Sequence, residues 1–332
     1  MTFTPFNRRG SVVTAALVLG VLMSTPSSAQ NMTPSAASPL DMVNGLHTAF
    51  GEHHARAVHT KGLMLEGSFT PSPGAADLTN EPIFAGDPLP VIARFSLFAG
   101  LPDLPDNDDG ASPVGFALKI KEKGAVDFDV VSNQHPDFIA ATSDEFLAFL
   151  RAAGAAGKGD KAPMGAFLAS HPHAQQFLGS LTYPVSYAQA TYFGINAFRF
   201  TNSKGASTFV RYRFVPHAEA KYLTSEERKA RGPTYLGDEI AKRIAGEPVV
   251  FDWFAQIAER GDRIEDPSVA WPENRRMVKL GTVTLNKLVA DQEAAQRTNL
   301  FLPGQPHVGV EPADPMLVLR NTAYPISLGQ RQ

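Results

Sequence analysis

The chain contains no cysteine. That absence excludes disulfides, thiolate metal sites and cysteine nucleophiles. Tryptophan is scarce, with two copies, and no run of lysine and arginine forms a nucleic-acid footprint. Charge of either sign is limited: 30 basic residues face 33 acidic ones, a net of −3. There is no G-x-G-x-x-G and no phosphate-cradling loop, so a nucleotide fold has no support. No 20–50-residue repeat is visible, which removes solenoids and propellers. The histidine pairs lack zinc-site spacing with a supporting carboxylate.

What is present fits a soluble globular chain: 332 residues, 43% hydrophobic and 19% charged. Phenylalanine is abundant, with 22 copies. So many rings need either a thick core or a large apolar cavity. The N-terminus reads Asn7-Arg8-Arg9-Gly10, then an apolar run over 12–23, then Ser27-Ser28-Ala29. A positive start, a short apolar stretch and small residues make an export signal, with cleavage expected after Ala29. The apolar run is too short to span a bilayer. Paired arginines suit twin-arginine export, but the phenylalanine and lysine that usually follow the pair are missing, so a general secretory route stays open. Removing residues 1–29 leaves 28 basic against 33 acidic residues. The expected location is the periplasm.

Residues 30–39 are rich in serine, proline and alanine and read as a flexible lead-in to a single domain over 40–332. Helical spacing of Met42, Val43, Leu46 and Phe50 predicts a helix over 40–56. In 91–98, Val91, Ala93, Phe95 and Leu97 share one face of a strand, while Ile92, Arg94, Ser96 and Phe98 share the other. Strands are also expected at 114–121, 126–132, 192–201, 208–214 and 277–285. The turn Asn202-Ser203-Lys204-Gly205 joins two of them as a hairpin. Helices are expected at 143–156, 163–169, 235–245 and 288–297, and a loop at 100–112, rich in Pro, Asp and Gly. Strands in hairpin succession, with helices late or inserted, indicate an α+β fold with an antiparallel sheet or barrel.

Nine histidines are the first candidates for chemistry. His53, His54, His171 and His173 suit surface or capping roles. His59 differs, lying in Arg56-Ala57-Val58-His59-Thr60-Lys61-Gly62 with an apolar neighbour and a glycine turn. Far along the chain stands Arg320-Asn321-Thr322-Ala323-Tyr324. Residues four apart share a helix face, and a guanidinium can hydrogen-bond a phenolate. A free phenol ionises only near pH ~10, so a phenolate at neutral pH needs such help.

The 56–62 segment, Val91-Ile92-Ala93-Arg94-Phe95-Ser96 with its following Ala99-Gly100, Pro113-x-Gly115-Phe116-Ala117-x-Lys119 and Ser132-Asn133-x-x-Pro136-x-Phe138 resemble the haem catalase family in order and spacing. So does the final block from Pro303 to Tyr324, with Gly309-Val310-Glu311-Pro312. The resemblance covers most of 40–331 and is closest to the short, catalase-related peroxidase branch, which lacks the wrapping region and helical domain of full-size catalases. It implies a catalase-type antiparallel β-barrel with surrounding helices. It also implies haem b, its iron held by Tyr324 as phenolate, with Arg320 beside the ligand. His59 would be the distal base that moves a proton between peroxide oxygens, and Asn133 the amide that orients the peroxide. Ser96 would hold the His59 ring. Arg56, Arg94 and Arg331 would neutralise the propionates. Phe138 and Phe146 would pack at the haem and its channel, and Val58 would narrow the approach.

The chain departs from the family at two places. The acid and arginines near the Gly-Phe-Ala strand are replaced by Gly110-Ala111-Ser112-Pro113-Val114, which suits larger or less polar peroxides. Asn196 stands where catalases carry a histidine. Contacts for NADPH do not map onto this chain. The implied partners are hydrogen peroxide or an organic hydroperoxide and a small organic electron donor, with no nucleic acid and no membrane span in the mature protein; a homo-oligomer is compatible. Two other readings remain open on sequence: a hydroperoxide-rearranging enzyme, and an exported barrel that carries haem or a hydrophobic ligand. A pure carrier has no need of a distal acid–base group opposite a phenolate.

Overall fold

The structure, a computed structural model, describes residues 36–122, 124 and 126–331. The expected export signal over 1–29 lies outside the described residues, as does the lead-in up to residue 35.

Among the described residues, nine strands form one antiparallel sheet: β1 Gly62–Pro71, β2 Leu89–Ser96, β3 Gly115–Ile120, β4 Phe128–Asn133, β5 Tyr192–Thr201, β6 Ser207–Pro216, β7 Val249–Ile257, β8 Met277–Leu288 and β9 Val310–Pro312. Their order is β4-β3-β2-β1-β8-β7-β6-β5-β9. Asn133 of β4 pairs with Phe193 of β5, which closes eight strands into a barrel and leaves β9 as an extra strand on β5. Closure removes the exposed strand edges that an open sheet would present.

The barrel interior takes many of the large aromatics. Phe69, Phe95, Phe116, Phe200, Phe214, Phe251 and Trp253 are almost wholly buried there. Their rings stack or meet edge to face, as with Phe95 and Phe116 at 5.1 Å and Phe214 and Trp253 at 5.4 Å. The phenylalanine content is therefore divided between this barrel core, the helical layer and the cavity wall. Truncating one such ring typically costs about 3–5 kcal/mol.

Among the described residues, eight α-helices surround the barrel: α1 Pro39–Phe50, α2 Ser143–Gly157, α3 Ala162–Ser170, α4 Pro172–Gly179, α5 Ser225–Lys229, α6 Tyr235–Ile244, α7 Gln292–Thr298 and α8 Pro315–Gly329. The helix expected over 40–56 stops at Phe50, because Gly51 adopts φ +87 and ends it. The helix expected over 288–297 starts later, since β8 runs on to Leu288 and Asp291 caps α7. α8 begins with an Asp314 cap followed by Pro315 at the first turn. A second apolar cluster, with Met42, Leu147, Leu150 and Phe167, joins α1, α2 and α3. No helix among the described residues is long and apolar enough to cross a membrane.

Candidate functional site

A large cavity lies between the outer face of β2–β4 and helices α1, α2 and α8. Strand periodicity places its barrel wall. Arg94 and Ser96 of β2, Gly115 and Ala117 of β3, and Val131 and Asn133 of β4 all border it, while Phe95 and Leu118 turn inward to the core. The helices add Met42, Val43, Leu46, Leu319 and other apolar groups. Every residue singled out for the site borders this one cavity: Arg56, Val58, His59, Arg94, Ser96, Asn133, Phe138, Phe146, Arg320, Tyr324 and Arg331.

His59 sits in the loop before β1 with φ +54, a left-handed conformation that is strained for a non-glycine residue. The surroundings hold it there. Its backbone N–H donates to Phe98 O at 2.8 Å, and Arg94 Nη2 donates to His59 O at 2.8 Å. Its ring Nδ1 lies 2.8 Å from Leu97 O. A carbonyl only accepts, so Nδ1 carries the hydrogen and Nε2 carries the free lone pair. Ser96 Oγ stands 3.2 Å from the same Nδ1. Phe98 meets the ring edge to face at 5.5 Å. Burial, then the charge of Arg94, pushes the His59 pKa down to about 3, with Arg320 and Arg56 adding to the same effect against the Leu97 hydrogen bond. The ring is therefore neutral at ordinary pH and Nε2 is an available base. Glycine is required beside it: a Cβ on Gly115 would lie 2.7 Å from Ser96 Oγ and 3.0 Å from His59 Nδ1.

Asn133 ends β4 at the barrel seam. Its Oδ1 accepts the His135 N–H at 2.7 Å, which leaves the amide Nδ2 as donor toward the cavity. Phe138 and Phe146 contact each other at 4.8 Å between ring centres. His173 Nε2 lies 2.8 Å from Phe138 O and His171 Nδ1 lies 2.9 Å from Phe167 O, so both these histidines tie loops to helices.

Tyr324 lies on α8. Arg320, one turn earlier, donates to its Oη twice, from Nε at 2.9 Å and from Nη2 at 2.6 Å. Two guanidinium donors on one phenol oxygen suit an oxygen that carries negative charge. Arg320 Nη1 donates to Asn196 Oδ1 at 2.7 Å, and Asn196 Nδ2 donates to Asp314 Oδ2 at 2.6 Å. The other Asp314 oxygen accepts the Met316 N–H at 2.9 Å. So Asn196 links a buried carboxylate to the arginine.

Asp314 and Gln296 were not foreseen from sequence. Asp314 could have been read as a helix cap from the Asp-Pro pair that opens α8. Its burial raises its pKa to about 6, against the Asn196 and Met316 hydrogen bonds and the charges of Arg211 and Arg320. The carboxyl is thus protonated below about pH 6 and ionised above it. Ionised Asp314 grips Asn196 Nδ2 and keeps Asn196 Oδ1 aimed at Arg320; protonation loosens that grip. We expect the absorption spectrum of the cofactor-loaded protein to shift with a midpoint near pH 6, and Asp314→Asn to flatten that step. A spectrum that titrates alike in both proteins would exclude Asp314 as its source.

Arg56, Arg94 and Arg331 converge on the cavity with no acidic partner: none of the three joins an ion pair among the described residues. Burial and mutual repulsion push Arg56 down to about 7. Arg94 falls to about 9 and Arg331 to about 10, burial being the main cause in both. The buried Nε of Arg331 has no hydrogen-bond partner. An isolated buried cation cluster is costly, so this wall calls for an anion. A planar macrocycle with two carboxylates and a metal that takes a phenolate meets that demand, the apolar helical wall and Tyr324 together.

Comparisons with known proteins agree with this geometry. The Catalase family model matches residues 47–331. The catalase-related peroxidase of Synechococcus elongatus is 29% identical over 97% of this chain and 95% of its own length. The catalase-related peroxidase of Mycolicibacterium paratuberculosis is 32% identical over 90% of this chain and 95% of its own length. Among solved structures, catalase A of Saccharomyces cerevisiae superposes with a TM-score of 0.73 at 20% identity, covering 83% of this chain. This chain spans 61% of that structure's length, so the likeness there is one of fold.

Proposed function

The chain belongs to the catalase family, and we propose that it is a haem peroxidase that reduces hydrogen peroxide or an organic hydroperoxide at the expense of a small organic donor. The observation that carries this reading is the pairing, in one cavity, of a neutral histidine with its lone pair on Nε2 and a tyrosine oxygen bracketed by Arg320. A carrier of haem or lipid needs no such base, so the transport reading has no support in the site.

Tyr324 would hold the iron, and Arg56, Arg94 and Arg331 the propionates. Haem b is the form that suits a chain with no cysteine for thioether attachment. When bound, haem supplies the redox iron at which the O–O bond is cleaved. The protein's own part is proton movement and placement. Asn133 Nδ2 donates to the peroxide and fixes its orientation. His59 Nε2 takes the proton from one peroxide oxygen and returns it to the other, which leaves as water. The apolar channel wall of Phe138, Phe146 and Val58 excludes water and favours substrates with little charge. The signal-like N-terminus supports export and a periplasmic site of action.

Similarity across 95% of two catalase-related peroxidases favours peroxidase over catalase turnover. The test is oxygen evolution from peroxide measured beside oxidation of a dye donor in one preparation. Dye oxidation should dominate. Fast oxygen evolution with negligible dye oxidation would return the protein to ordinary catalases.

A further inference from the structure

The arginine cluster raises a question that the propionate reading leaves unanswered: what holds two guanidiniums together when no acid is present. The answer lies on α7. Gln296 Oε1 accepts from Arg56 Nη1 and from Arg94 Nε, both at 2.7 Å. Its amide Nε2 donates to Gly62 O at 2.9 Å, which fixes the side chain against the start of β1. Arg56 Nη1 also reaches Gln296 O at 2.8 Å. The remaining partners are backbone carbonyls: Asn299 O for Arg56, and His59 O and Thr60 O for Arg94. Every acceptor is neutral.

We propose that Gln296 is a positioning residue that clamps Arg56 and Arg94 through an uncharged acceptor, so that the pair's full positive charge is kept for the two propionates of haem. A glutamate at 296 would make stronger hydrogen bonds to the same guanidiniums, but it would cancel one charge in the site and repel the incoming carboxylates. The clamp also reaches the distal side, because Arg94 holds the His59 carbonyl. Gly62 is part of the same device: a Cβ there would lie 2.3 Å from Phe95 O and 2.8 Å from Arg94 Nη2.

This inference rests on the haem reading, and the experiment separates the two. Gln296→Glu and Gln296→Met are compared with the unaltered protein. Haem transfer to a scavenger such as apomyoglobin is followed by absorbance, and thermal unfolding of the haem-free protein is followed by circular dichroism. Gln296→Glu should lose haem at least roughly tenfold faster, the scale on which removing a supporting partner of a cofactor site acts. Its haem-free form should unfold no earlier than wild type, since the guanidiniums gain a counter-charge. Gln296→Met should lower the unfolding midpoint of the haem-free form and release haem less rapidly than Gln296→Glu. With haem dimethyl ester, which has no free carboxylates, wild type and Gln296→Glu should release at the same rate; a purely structural role for Gln296 would leave the difference intact. Haem retention by Gln296→Glu equal to wild type overturns the proposal. Should Gln296→Glu not fold, unchanged retention and midpoint in Gln296→Met overturn it instead. If wild type itself takes up no haem, it is the haem reading that fails.

Discussion

His59→Ala should keep haem and lose most of its reaction with peroxide. General acid–base groups contribute roughly 10²–10⁴-fold, and among the described residues His59 is the one histidine that borders the cavity. Its geometry makes the expectation specific. The Leu97 carbonyl fixes the tautomer, and burial near three arginines keeps the ring neutral down to about pH 3. The ring is therefore neutral well below neutral pH, and no titration of His59 should shape the activity profile in the neutral range. Alanine shares the cost of the left-handed backbone at this position, so the fold and the Arg94 contact to the 59 carbonyl should survive. The measurement is stopped-flow absorbance after mixing with peroxide. A rate within a few-fold of wild type would remove His59 from the mechanism.

Much of this architecture is legible in sequence, and the failures have physical causes. Strands β2, β3, β5 and β6 announce themselves by alternation, and so does the assignment of Arg94 and Ser96 to one face. β1 is hidden because its alternation breaks at Gly67, where the register with β8 slips. The glycine is needed there, since a Cβ would come 2.0 Å from Thr284 O. β7 is hidden because Val250 and Phe254, which face away from the core, are as apolar as the inward Phe251 and Trp253. α8 is hidden by Pro325, which reads as a helix breaker but sits within the helix directly after Tyr324. The motif-bearing residues of the site could be named because each lies in a compact local pattern. Gln296 and Asp314 act on Arg94 and Asn196 across 202 and 118 residues. Contacts of that span leave no periodicity and no spacing to read; only the folded barrel brings them together.

On the proposed reading that Tyr324 holds the haem iron, Tyr324→Phe should weaken haem binding at least roughly 10–100-fold, because losing even a supporting partner costs that much at a metal site and the ligand itself would go. Two effects add. Ferric iron would lose an anionic oxygen ligand, so the ferric spectrum should change in kind and not only in intensity. Arg320 also loses the acceptor of its Nε and Nη2 donors, which leaves part-buried polar groups unmet at a cost of at most about 1–3 kcal/mol. The second effect is structural and must be separated from the first. Arg320→Leu with Tyr324 intact removes the guanidinium but keeps the ligand; it should shift the tyrosinate absorption while retaining it. Tyr324→Phe in either background should abolish it. The measurement is haem titration with absorption and resonance Raman spectra of the ferric protein. If Tyr324→Phe leaves the spectrum unchanged, another group holds the iron, and the pairing of His59 with Tyr324 no longer supports a peroxidase.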